Sequence, residues 1–221
     1  MNRPATESEA EIPPSNSIVD TGNTTEVADG IYRSFPFEIG RTWAYRNTDE
    51  AIPYELHVEL EGEGDDDDGV DIYTLSYNEV CFGNDPDCLD SERFRIRWSS
   101  TPESGVKIHC VISPSGPTEL FPPVTVAEPD GQPGDSVATT TAGRTVTSTF
   151  SRLEPCSTLE VKGFESCARF EITSDQPDDD LPFLGRFWVA PGNGAGNLDL
   201  ADEKGVWQLI DFDCGTCDGV W

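Results

Sequence analysis

The sequence predicts an all-β protein: a curved antiparallel sheet, sandwich or half-barrel, of about nine to ten strands. Three observations predict it. Apolar residues alternate with polar ones in segment after segment, turn formers separate those segments, and no window carries a 3.6-residue apolar stripe. One polar face per strand argues for antiparallel pairing, with one side on a core and the other in water.

Taken in order, residues 1–30 read as a disordered acidic tail or tether, because Glu7, Glu9, Glu11, Pro13 and Pro14 sit among Ser, Thr and Gly without an apolar period. Residues 31–221 then form a single β domain. In Tyr54–Leu60, Tyr54, Leu56, Val58 and Leu60 share one face, and Glu55, His57 and Glu59 share the other. The same alternation runs through Val70–Tyr77, Phe94–Trp98 and Val106–Ile112. Further strand candidates are 136–150, 157–161, Cys167–Thr173, Phe183–Val189 and Val206–Phe212. The stretch Ser113–Gly134 holds Pro114, Pro117, Pro122, Pro123, Pro129 and Pro133, which is hostile to a central strand and reads as an irregular crossover. Gly192–Gly196 reads as a flexible connection, since it fails the G-x-G-x-x-G spacing of a phosphate loop and leads into Asn197-Leu198-Asp199-Leu200.

Composition narrows the function classes. The 221 residues carry 42 Asp+Glu against 14 Lys+Arg, a formal net charge of −28. Such a chain repels phosphate, so nucleic acid and anionic membrane are not its partners. No run of 18 apolar residues exists, so no helical transmembrane segment is expected. The first residues, Met1-Asn2-Arg3-Pro4-Ala5-Thr6, lack the basic and apolar regions of a signal peptide. The seven cysteines nevertheless suit an oxidising compartment. The expectation is an exported protein of the periplasm, outer-membrane surface or extracellular space, its signal removed.

Among the cysteines, Cys81 and Cys88 bracket a short loop and suit a local bridge, and Cys156 and Cys167 flank a candidate hairpin. Cys214 and Cys217 form a lone C-x-x-C near the chain end, read as a structural bridge to Cys110 and not as a redox pair. One thiol of the seven is left over. No second C-x-x-C or histidine pair supports zinc.

Acidic loops at Asp65–Asp68, Asn84–Glu92 and Asp175–Asp180 concentrate oxygen ligands, and Asp85, Asp87, Asp90 and Glu92 are the candidate Ca²⁺ ligands. Solvated acidic loops are the plainer reading. Counted from Asp85, position 6 is Asp90 where an EF-hand needs Gly, and position 12 is Ile96 where it needs Glu. No other cofactor is indicated.

Both histidines, His57 and His109, fall on the polar side of strands, and no G-x-S-x-G elbow supports a Ser-His-Asp site. Trp43, Trp98, Trp188, Trp207 and Trp221 could offer sugar-stacking faces, but three of them sit in apolar strand context and read as core.

Gly40-Arg41-Thr42-Trp43-Ala44-Tyr45 and Phe187-Trp188-Val189-Ala190-Pro191-Gly192, with Gly205-Val206-Trp207, resemble a loose group of uncharacterised exported bacterial β-proteins, many of them lipoproteins. The hairpin around Val161–Cys167 is similar to that group's middle element. This chain departs from it by an insertion, Asn197 to Lys204. The resemblance implies a curved antiparallel sheet and a cell-envelope location, and it carries no catalytic residues. The expected function is therefore a non-catalytic envelope or surface protein that binds a partner protein. The alternatives are a carrier of a lipid-like apolar ligand on the concave face of the sheet, or an extracellular hydrolase using paired carboxylates.

Overall fold

The computed structural model describes residues 35, 39–49, 51, 54–65, 69–81, 88–156, 166–176, 181–190, 192–201 and 205–213. The tail 1–30 and the strand candidate 157–161 lie outside them. The described residues form twelve strands, more than the nine or ten expected. They are β1 (Thr42–Asn47), β2 (Tyr54–Asp65), β3 (Asp71–Cys81), β4 (Ser91–Thr101), β5 (Gly105–Ser113), β6 (Gly116–Ala127), β7 (Ser136–Thr141), β8 (Arg144–Glu154), β9 (Cys167–Ser174), β10 (Gly185–Ala190), β11 (Gly194–Leu200) and β12 (Trp207–Asp213).

All twelve belong to one sheet, ordered β6-β5-β4-β3-β2-β1-β12-β11-β10-β9-β8-β7. Every ladder is antiparallel, as short turns between sequential strands require. Two six-strand meanders thus join where β1 pairs with β12. The two ends of the sheet, β6 and β7, are consecutive in sequence, so the sheet curls until its edges meet. There Thr125 N donates to Thr139 Oγ1 at 3.2 Å and Ser148 Oγ donates to Val126 O at 2.6 Å. Side chains stand in for a backbone ladder, and the curve is nearly a closed barrel.

The expected alternation decides inside from outside. Leu56, Val58 and Leu60 of β2 are buried, while Glu59 of the opposite phase is exposed. On β4, Phe94, Ile96 and Trp98 face inward, and Arg95 faces out. Trp43, Trp98 and Trp207 are core residues. Each fully buried large side chain contributes roughly 1.5–3 kcal/mol of transfer free energy. An apolar inside and a charged outside are the reverse of a lipid-facing barrel. Among the described residues no helix is long and apolar enough to cross a membrane.

Four departures from the sequence reading have physical reasons. The supposed crossover Ser113–Gly134 contains β6, a 12-residue strand with Pro117, Pro122 and Pro123 inside it. These prolines are tolerated because β6 ends the sheet, so its outward N–H groups need no ladder partner. Bulges absorb the rest: Ile108 pairs with Val124 and Cys110 with Glu119, which leaves Leu120–Pro123 looped opposite one residue. The glycine-rich connection and the supposed insertion are largely β11, its backbone paired to β10 from Gly194 to Leu200. The 136–150 candidate is a hairpin, β7–β8, turning at Ala142 and Gly143 with φ of 48° and 79°. Two consecutive positive φ values are what a tight two-residue hairpin turn demands. Finally, β1 is too short for its alternation to stand out beside β2, and it becomes a strand by pairing with β2 and β12.

Candidate functional site

The inner faces of the strands converge on an apolar chamber. Its free volume is about 60 Å³, and its walls include Trp43, Tyr45, Tyr77, Trp98, Phe170 and Phe187, with Phe35 against one side. Among the described residues no charged side chain lines it. Phe35 belongs to no strand, yet its ring lies 5.8 Å from that of Trp98 and 6.2 Å from that of Phe170.

One wall is built by β1. There β11 and β12 share two ladder pairs, Asn197↔Gln208 and Leu198↔Trp207, so the start of β11 has no ladder partner on the β12 side. Side chains of β1, and of Arg41 just before it, supply donors instead. Tyr45 Oη donates to Ala195 O at 2.7 Å, Trp43 Nε1 to Asn193 O at 2.8 Å, and the Arg41 guanidinium to Gly192 O at 2.9 Å. Residues at alternate positions 41, 43 and 45 thus latch the β10–β11 turn, some 150 positions away. Gly194 has φ of +88°, and a Cβ there would lie 3.1–3.2 Å from the Trp43 indole, so the ring packs directly on backbone. The stretches 40–45 and 187–192 are therefore in direct contact.

Two tyrosines of the chamber differ. Tyr45 has its hydrogen bond to Ala195. Tyr77 is 6% exposed and stacks on Phe94 with centroids 4.4 Å apart, but its hydroxyl has no hydrogen-bond partner among the described residues. Burial pushes both phenols well above their ordinary range, and for Tyr45 the neighbouring Tyr77 adds to the effect. Phe35 and Tyr77 escaped the sequence reading. For Tyr77 a signal existed, since Tyr73, Leu75 and Tyr77 share one phase of β3; for Phe35 there was none.

The outer wall carries ion pairs. Arg46 meets Glu55 at 2.6 Å, and His57 Nε2 lies 3.3 Å from the same carboxylate. Burial pushes the Glu55 carboxyl up, but hydrogen bonds from Arg46 and His57 outweigh it and hold the group below its usual range. Glu154 accepts from Trp188 Nε1 and from Arg152, and Arg169 stacks 5.6 Å above the Trp188 ring. Partial desolvation raises the Glu154 carboxyl, and those two hydrogen bonds bring it below the ordinary value. Trp188 therefore belongs to the outer wall, while Trp221 lies outside the described residues.

The cysteines divide. Cys81–Cys88 and Cys156–Cys167 are disulfides, as their spacing suggested. Cys110 is a free, buried thiol, which corrects its expected bridge to the C-x-x-C pair; Cys214 and Cys217 lie outside the described residues. On the sheet Cys110 is flanked by Arg97 of β4 and Glu119 of β6. Burial, reinforced by Glu119, pushes the thiol up to about 11, so it is protonated and unreactive near neutrality.

Of the candidate Ca²⁺ ligands, Asp85 and Asp87 lie outside the described residues. Asp90 Oδ1 accepts from the Cys81 backbone N–H at 2.9 Å, and Glu92 pairs with Arg95 at 2.6 Å. Among the described residues no group of three or more His, Cys, Asp or Glu could hold a metal. The bulge in β5 aims His109 Nε2 at Ser99 Oγ, 2.7 Å away. Ser99 is 1% exposed and lines none of the described cavities, so this pair ties adjacent strands together.

No protein-family model, no curated protein and no solved structure matches the chain.

Proposed function

We propose that the chain is a non-catalytic exported protein of the cell envelope or surface that binds a cationic partner protein through its charged outer wall. The observation that carries this reading is how completely the barrel fills itself. Its own aromatic side chains leave about 60 Å³ inside. A benzene-sized ligand needs roughly 150 Å³ and an acyl chain several-fold more, so a lipid-like cargo is the weaker alternative. Recognition then falls to the outside, where the charge of −28 favours a basic partner and steers its approach. The two disulfides support an oxidising compartment. The contact between the 40–45 and 187–192 stretches is consistent with their belonging to one structural device in the exported group they resemble.

The test is affinity capture from bacterial envelope extract with the immobilised full chain, at low and high salt. One protein of basic composition is expected, released as ionic strength rises and lost or weakened severalfold on Glu59→Lys or Glu171→Lys, both exposed strand positions. Capture indifferent to salt and to both variants, or no specific capture at all, would overturn the reading.

A further inference from the structure

We propose that the chamber inside the barrel is a binding site for a small, uncharged, mostly apolar molecule with one hydrogen-bond acceptor, and that the Phe35 ring holds the place such a ligand takes. This concerns the inside of the barrel, and its test is separate from the capture experiment on the outer wall.

Three observations converge. The first is the identity of the walls. Side chains from β1, β2, β3, β4, β6, β9, β10 and β11 line the chamber, each fixed by a strand; Phe35 is not on a strand, is half-buried, and packs against Trp98 and Phe170 with tilts of 31° and 56°. Tilted geometry at such separations is favourable for aromatic rings, so the chamber accepts a ring at this place. The second is volume. About 60 Å³ is free beside Phe35, and one displaced phenyl group raises the space toward the roughly 150 Å³ at which dry, apolar-lined cavities take up benzene. The third is polarity. Tyr77, 6% exposed, lines the chamber with a hydroxyl that no described residue engages, whereas the Tyr45 hydroxyl in the same wall is occupied by Ala195 O. Buried hydroxyls almost always have partners, and one facing an apolar chamber selects a molecule that brings a carbonyl or ether oxygen. Among the described residues no charged side chain lines the site, so a charged ligand would lose its hydration without compensation.

Acetophenone and ethylbenzene are suitable probes, because they share a shape and differ by the acceptor oxygen. Titration calorimetry would compare the full chain, Phe35→Ala, and Phe35→Ala combined with Tyr77→Phe, after far-UV circular dichroism has checked each fold. Phe35→Ala is expected to bind acetophenone at least about tenfold more tightly than the unaltered chain. Adding Tyr77→Phe should weaken acetophenone roughly threefold to tenfold, the size of one net hydrogen bond, and leave ethylbenzene within about twofold. No binding of acetophenone to folded Phe35→Ala, or an equal effect of Tyr77→Phe on both probes, would overturn the proposal. Should Phe35→Ala fail to fold, Phe35→Leu takes its place, and the absence of any gain over the unaltered chain overturns the proposal equally.

Discussion

Tyr45 and Tyr77 line the same chamber, and removing one oxygen from each should move stability in different directions. Tyr45→Phe deletes the donor to Ala195 O, a 2.7 Å bond at the point where β11 has no ladder partner on the β12 side. Tyr45 is 2% exposed but Ala195 is half-buried, so water can partly replace the lost donor. The cost of losing this bond is about 0.5–1.5 kcal/mol. Tyr77→Phe deletes a hydroxyl that no described residue engages, so its expected effect is between about 0 and 1 kcal/mol of stabilisation. Domains are stable by about 5–15 kcal/mol, so a difference of about 1 kcal/mol is readable. In urea titrations followed by tryptophan fluorescence, an m-value of about 3 kcal/mol/M would move the midpoint of Tyr45→Phe down by about 0.2–0.5 M, with Tyr77→Phe unchanged or slightly higher. Equal losses in the two variants would refute the hydrogen-bond accounting, because the removed atoms are identical and the partners alone differ.

Gly194→Ala should cost about 2–3 kcal/mol in the same titrations, since a Cβ at φ +88° meets the Trp43 indole; Trp43→Leu in the same chain should restore part of the loss. Peptide mapping under non-reducing conditions should recover the 81–88 and 156–167 bridges, and Cys81→Ser or Cys156→Ser should each cost about 2–3 kcal/mol, because loops of 7 and 11 residues remove similar denatured-state entropy. In an ultraviolet titration, Tyr45 and Tyr77 should stay un-ionised above the ordinary tyrosine range and release their protons only with unfolding. Their raised folded pKa means the unfolded state deprotonates first, so the stability they contribute is complete below about pH 10 and is lost as pH climbs above it. Glu55 and Glu154 have the opposite sign: held low by their hydrogen bonds, they stabilise above about pH 4.5, and that contribution fades as pH falls below it. Glu154→Gln should flatten the acid limb of a stability-versus-pH curve. A melting temperature that rises with Ca²⁺ and returns with EDTA would support the acidic 85–92 loop as a cation site, and no change would remove it.

Much of the wall was legible in the chain. Leu56, Val58 and Leu60 alternate with Glu55, His57 and Glu59 because each strand separates water from core at every residue, and that period survives any arrangement of strands. The same logic found the two bridged cysteine pairs, which close short local loops. Strand β6 was not legible, because proline's missing donor matters only if the neighbouring side of the strand is occupied, and edge position belongs to the whole sheet. Strand β11 was hidden by its glycines, of which Gly194 is needed for the approach of Trp43 from β1, a contact some 150 positions away.

The chain by itself determined the class of structure, the side of each strand that faces water, and the acid-rich outer shell. These are local properties, written by side-chain period and composition. Only the tertiary structure decided that the edges β6 and β7 come together, that Arg41, Trp43 and Tyr45 latch the turn before β11, and that the Tyr77 hydroxyl in the same chamber has no hydrogen-bond partner among the described residues. Those facts depend on closure, which brings distant strands within hydrogen-bonding distance, and no local pattern encodes which distant residue will arrive.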